Sequence, residues 1–219
     1  MDAIHGAIAF GVAFAASVSC MPVVRALGAR AGMVDAPGTR KIHSKTAVRA
    51  GGLGVALGVL IAIGSILIAA LDEGAEVRPL LAIGALALPV TLIGVIEDAT
   101  TVKPKFRLFF QGLGAVSFVA LMFGIIETYA EAMVIPPMLV AGVVGFVLLA
   151  GINAVNLIDG IDGLAASMVV ISGFGIASIY GENTLSSLPA LCLAGALLGF
   201  LPWNLRESAK RRLFLGDGG

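Results

Sequence analysis

The stretch Asn153-Ala-Val-Asn156-Leu-Ile-Asp159-Gly-Ile-Asp162-Gly163-Leu164 closes an apolar run that begins at Pro137. Two amides and two carboxylates follow one another there at three-residue steps. Isolated polar groups are costly inside hydrocarbon, so such a run reads as a transmembrane helix delivering a polar site to a membrane surface. Each step turns a helix by about 300°, which spreads the four side chains over roughly half its circumference. Gly160 and Gly163 interrupt the helix and place Asp159 and Asp162 on a tight turn beneath it. Amides in the last helical turns need partners, and a phosphate, a metal-bound water or a nucleoside would supply them. A plain helix-ending Asp-Gly turn does not account for two copies with a pair of Asn.

The rest of the chain is built in the same way. Of its 219 residues 58% are hydrophobic and 13% charged, with a mean hydropathy of +1.02, which excludes a soluble domain. About 20 apolar residues cross a ~30 Å hydrocarbon core. Candidate spans lie at 3–24, 51–71, 80–96, 108–126, 137–157, 164–181 and 187–204. The expected fold is therefore all-α, a polytopic membrane helix bundle of about seven transmembrane helices. Thirteen of the 14 Lys and Arg fall in segments 25–50, 103–107 and 206–212, and Arg78 stands alone opposite. Flanking Lys and Arg are retained in the cytoplasm, so the N-terminus is expected outside and the C-terminus in the cytoplasm.

Other features have modest readings. Asp2 and the absence of a basic residue before the first span argue against a cleaved signal peptide. Cys20 and Cys192 both lie within spans and read as inert packing thiols. Gly54-x-x-x-Gly58 suits close helix packing, and Pro89 and Pro202 are expected to kink their helices. Topology explains the arginines better than nucleic-acid binding does.

Three further polar groups share the cytoplasmic side. Glu97-Asp98 closes the third span, where the negative end of the helix disfavours acids unless a cation compensates; Lys103, Lys105, Arg107 or a metal would serve. In the tail, Gly216-Asp217-Gly218-Gly219 offers a carboxylate flanked by glycines, suited to a hard cation. The first loop carries Asp35-Ala-Pro37-Gly-Thr-Arg40-Lys41-Ile-His43 and Arg49-Ala-Gly51-Gly52, a mixed set able to clamp a phosphate. Carboxylates, amides and bases converging at an interface fit Mg²⁺-assisted phosphoryl chemistry on a bilayer-anchored substrate.

With these residues the chain resembles the polyprenyl-phosphate N-acetylhexosamine-1-phosphate transferases, whose superfamily includes the phospho-N-acetylmuramoyl-pentapeptide transferases. The family pattern N-x-x-N-x-x-D-G-x-D-G-L is met at Asn153, Asn156, Asp159, Gly160, Asp162, Gly163 and Leu164. Its G-D-x-G element is met at Gly216, Asp217 and Gly219, and its acidic pair with downstream Lys, Arg and Gln at Glu97-Asp98, Lys105, Arg107 and Gln111. The Asp35–His43 loop looks like the N-acetylhexosamine branch. Glu97 departs from the family's usual Asp-Asp pair. Members also continue beyond the Gly-Asp element with further helices and a His-containing loop, so residues 1–219 are expected to form a single integral-membrane transferase domain lacking those helices.

The resemblance implies a Mg²⁺-dependent phosphoglycosyl transferase of the bacterial inner membrane. It would move N-acetylhexosamine-1-phosphate from a UDP-N-acetylhexosamine to undecaprenyl phosphate and release UMP. The product would initiate a cell-envelope polysaccharide such as O-antigen or teichoic acid. On this reading Asp217 and Asp98 hold Mg²⁺ or Mn²⁺, and Asp98, Glu97, Asp159 and Asp162 are catalytic. Asn153, Asn156, Arg40, Lys41, His43, Lys105 and Arg107 bind substrate. Membrane lipids and a homodimer partner complete the expected associations, and nucleic acid is excluded. The rivals are pentapeptide transfer, a truncated inactive membrane fragment, and a transporter. A transporter would carry its charged site near the midplane between repeats, where these spans are clean.

Overall fold

The structure, a computed structural model, describes residues 3–35, 47–72, 74–180, 187–206 and 212–218. Among them are seven α-helices: α1 (Ala3–Arg30), α2 (Gly51–Asp72), α3 (Arg78–Ala99), α4 (Pro104–Ala132), α5 (Pro137–Ile158), α6 (Leu164–Tyr180) and α7 (Leu188–Asn204). Each expected span is one of these helices. Proline opens α3, α4, α5 and α7 in the first turn, where its missing N–H costs nothing and its fixed φ favours the helix. Helices α1 to α5 are long and apolar enough to cross a membrane, whereas α6 and α7 are shorter apolar helices of 17 residues.

Two of the expected boundaries shift. Pro104 starts α4 earlier than the apolar pattern suggests, so Lys105 and Arg107 lie in its first turns. At its other end α4 runs past the expected limit of residue 126 to Ala132, and the chain reverses after it, where Val134 takes a positive φ of 57°.

Helix α7 is buried along most of its length and packs on α1, α2 and α6, while α4 packs on α3 and α5. The core of the first group gathers Met21, Phe200, Leu188 and Leu213, each at most 1% exposed. Small residues set the spacing. An added Cβ at Gly58 or Gly199 would fall 2.8 Å from the carbonyl oxygen of Ala13 or Phe14 respectively, as expected where backbones touch. Ser17, fully buried, donates to the Ala196 carbonyl at 2.8 Å and ties α1 to α7. Cys20 and Cys192 are free thiols.

One feature departs from an all-α bundle. Strands β1 (Val34–Asp35), β2 (Ala47–Arg49) and β3 (Leu213–Phe214) form a small sheet in the order β1-β2-β3. The β1–β2 pair is antiparallel, and β2–β3 is parallel with Val48 opposite Leu213 and Arg49 opposite Phe214. Strands of two or three residues leave no readable period. The consequence is large, because this sheet sets the tail after α7 beside the start of α2, where the Gly52 N–H donates to the Leu215 carbonyl at 2.7 Å.

Candidate active site

The carboxylate of Asp98, near the end of α3, has a 3% exposed side chain and accepts two backbone N–H groups of the tail. Oδ1 takes the Asp217 N–H at 3.0 Å and Oδ2 the Gly218 N–H at 3.1 Å. The tail can lie this close because it meets glycine on both sides. A Cβ on Gly94 would overlap the Asp217 backbone, and one on Gly216, whose φ is +78°, would sit 2.9 Å from the Asp98 Cγ. Asp98, expected among the metal ligands, thus commits both oxygens to holding the tail.

Docked in this way, Asp217 faces the inside. Its Oδ1 accepts from Asn156 Nδ2 at 2.9 Å and lies 3.6 Å from Arg107 Nη1, and its Oδ2 pairs with Arg49 Nη2. The same Arg49 nitrogen is 3.2 Å from Asp98 Oδ1. Arg107 also pairs with Glu97 Oε1 at 3.7 Å, while Glu97 Oε2 is buried without a hydrogen-bond partner among the described residues. The negative helix end of α3 is therefore compensated by Arg107, one of the expected cations, and by Arg49.

Glu97, Arg107, Gln111, Asn156, Asp159 and Asp217 line one cavity of about 320 Å³ between the two helix groups. Away from them its wall is apolar, including Val90, Ile93, Val169 and Leu197. Asp159 caps α5 outside the helix. Burial first, then the charges of Asp217 and Asp98, push its carboxyl up to about 6. Among the described residues, four carboxylates here (Glu97, Asp98, Asp159, Asp217) meet two guanidiniums (Arg49, Arg107), an excess of two negative charges. Uncompensated charge is costly at a desolvated site. The excess, the hard oxygen donors and the orphaned Glu97 Oε2 fit a divalent cation. Among the described residues, however, no three His, Cys, Asp or Glu side chains stand close enough to form a ready ligand cluster.

Other expected residues lie elsewhere. Asn153 donates to Gln111 Oε1 at 3.0 Å and to the Leu149 carbonyl, bracing α5 against α4. Asp162 pairs with Arg212 and does not line the cavity. Lys105 sits 5.5 Å over the Phe106 ring, exposed. Arg40, Lys41 and His43 fall outside the described residues. Two residues escaped sequence reasoning. Arg49 was noted within its glycine motif, yet nothing local signals its ion pairs. Asn204, 5% exposed at the end of α7, accepts the Gly163 N–H at 2.6 Å and donates to the Leu213 carbonyl at 3.0 Å. It thereby ties the Asp159–Gly163 turn to β3.

Residues 80–219, more than half of the chain and with them all four carboxylates, match glycosyl transferase family 4. The chain belongs to this family. Across 97% of its length it is 29% identical to a "probable undecaprenyl-phosphate N-acetylglucosaminyl 1-phosphate transferase" of Bacillus subtilis, covering 58% of that protein. It is 27% identical, over 94% of its length and 56% of the relative's, to an undecaprenyl-phosphate alpha-N-acetylglucosaminyl 1-phosphate transferase of Yersinia pestis. A phospho-N-acetylmuramoyl-pentapeptide-transferase of a Synechococcus strain is 34% identical over 64% of the chain and 44% of the relative. The chain thus spans about half the length of the curated relatives it matches.

Proposed function

We propose that the chain carries the site of a multi-pass membrane enzyme of the bacterial plasma membrane. The enzyme transfers N-acetylhexosamine-1-phosphate from a UDP-N-acetylhexosamine to undecaprenyl phosphate and so starts a cell-envelope polysaccharide. The observation that carries this reading is one cavity with an acid and guanidinium end and an apolar wall. Such a space suits a diphosphate meeting a lipid phosphate. The N-acetylglucosaminyl relatives match almost the whole chain and the pentapeptide relative about two thirds of it, which favours the first substrate class. Arg25, Arg30, Arg49, Arg107 and Arg212 lie at or beyond the helix ends next to the site, so the site end is assigned to the cytoplasmic face.

In this mechanism an oxygen of the lipid phosphate bonds to the β-phosphorus as that atom's bond to the bridging oxygen breaks. UMP leaves with the electron pair. A phosphomonoester with a second pKa of about 6 is largely dianionic at neutral pH, so positioning and charge neutralisation carry the step rather than a general base. Asp217, oriented by Asn156, and Glu97 through its free Oε2 would hold Mg²⁺. When bound, the ion neutralises the diphosphate and the departing UMP. Asp98 fixes the tail that presents Asp217, and Arg107 faces the diphosphate. Asp159, on the cavity wall, would face the nucleotide.

The test is UMP release in nanodiscs with Mg²⁺, using UDP-N-acetylglucosamine, UDP-N-acetylgalactosamine and UDP-N-acetylmuramoyl-pentapeptide, each with and without undecaprenyl phosphate. Lipid-dependent release from an N-acetylhexosamine donor is expected. Release from the pentapeptide donor alone would move the protein to the other branch.

A further inference from the structure

Arg49 lies outside the family-matched segment, yet it touches both acids at the heart of the site. We propose that Arg49 is a displaceable counter-cation: its guanidinium bridges Asp98 and Asp217 in the metal-free protein and competes with the divalent cation for Asp217. The inference rests on the reading that Asp217 takes that cation.

Three observations lead to it. First, Arg49 reaches both carboxylates through one nitrogen, Nη2, and not through the two-pronged fork of a tight guanidinium–carboxylate pair. Its side chain is 32% exposed, which leaves it a path away from the site. Second, Asp98 does not depend on Arg49 for its place. The Asp217 and Gly218 N–H groups hold both of its oxygens, and the β2–β3 register and the Gly52–Leu215 bond hold the tail. Removing the guanidinium therefore exposes charge without undocking the tail. Third, the Arg49 contact occupies Oδ2 of Asp217, and Oδ1 is taken by Asn156 and approached by Arg107. A cation approaching this carboxylate meets a full complement of partners. Of these, Arg49 is a cation like the incoming ion, is more exposed than Arg107, and holds Oδ2 through a single nitrogen, so it is the partner that withdraws.

The side chain then performs two tasks. Without metal it screens like charges that would otherwise repel across a desolvated site. With metal it moves off Asp217, so it sets how tightly the ion binds. A residue of merely structural importance would weaken metal binding when removed. A competing cation has the opposite signature.

The experiment is a Mn²⁺ titration by electron paramagnetic resonance, with thermal melts with and without Mg²⁺, on the whole protein in nanodiscs. Wild type is compared with Arg49→Met, Arg49→Lys and Asp217→Asn. The inference predicts that Arg49→Met melts lower without metal, recovers with Mg²⁺, and binds Mn²⁺ at least threefold more tightly than wild type. Arg49→Lys should fall between. Equal or weaker Mn²⁺ binding by Arg49→Met, while wild type binds through Asp217, overturns the inference alone. Equal binding by wild type and Asp217→Asn overturns the metal reading and the inference with it. Should Arg49→Met fail to fold, phenylglyoxal labelling of wild type decides. Mg²⁺ should raise modification of Arg49 at least threefold relative to Arg78, and unchanged or reduced labelling refutes displacement.

Discussion

Replacing Asp98 with Asn tests whether the tail is held as the structure indicates. The carboxylate accepts two backbone N–H groups, one on each oxygen, with its side chain 3% exposed. Asn keeps one acceptor and turns the other into a donor, so one tail N–H meets a donor inside the protein. A hydrogen bond to a charged group contributes about 1.5–3 kcal/mol, and a buried unsatisfied donor costs about 1–3 kcal/mol. The two costs overlap, since the stranded donor is the one that loses the bond, so the loss should be about 2–4 kcal/mol, falling on local docking of residues 213–218. At 1.36 kcal/mol per tenfold, amide exchange in that peptide should speed by roughly 30- to 900-fold. Hydrogen–deuterium exchange with mass spectrometry in nanodiscs reads this directly, with α1 peptides as an internal control. If activity vanished while exchange across 213–218 stayed at the wild-type rate, Asp98 would act on substrate or metal and the clamp would be wrong.

Further predictions follow from the same geometry. Gly216→Ala should open the same peptide, because a left-handed φ costs a Cβ-bearing residue roughly 1–2 kcal/mol and the methyl would press on the Asp98 carboxylate. Asn204→Leu strands the Gly163 N–H and the Leu213 carbonyl. At about 1–3 kcal/mol for each buried unsatisfied group, a lowered Tm is expected, with faster exchange at both the 159–163 turn and β3. In the metal-free protein the Asp159 carboxyl stands at about 6, above its ordinary 3.8. Its folded-state value is raised, so the proton favours the fold and this group's contribution is lost as pH rises from about 4 to 6. Infrared difference spectra should show a protonated carboxyl band that fades as pH rises through about 6 and is weakened in Asp159→Asn.

The sequence was most legible where physics acts locally. Twenty apolar residues in hydrocarbon must be helical, so all seven helices could be placed from hydropathy, and Pro104 was the punctuation that moved the start of α4. Asp217, Glu97, Asn156, Arg107 and Asp159 could be picked out because polar groups at the ends of clean spans stand out, and the structure brings them to one cavity. What could not be read was the pairing. The β2–β3 contact joins residues more than 160 apart through strands of two and three residues, which leave no periodic trace. That contact sets Arg49 against Asp217 and brings two tail N–H groups onto the Asp98 carboxylate. Asp162 looked equivalent to Asp159 in its repeated Asp-Gly step, yet the turn sends it to Arg212 instead.

The most direct measurement follows the β-phosphorus itself. UDP-N-acetylglucosamine labelled at that atom is incubated with the whole protein, Mg²⁺ and undecaprenyl phosphate, and the label is partitioned between lipid and water. Transfer of sugar and phosphate together carries the label into the lipid phase with wild type and not with Asp217→Asn. Label left in water as UDP, or lipid labelling undiminished by Asp217→Asn, would contradict the account.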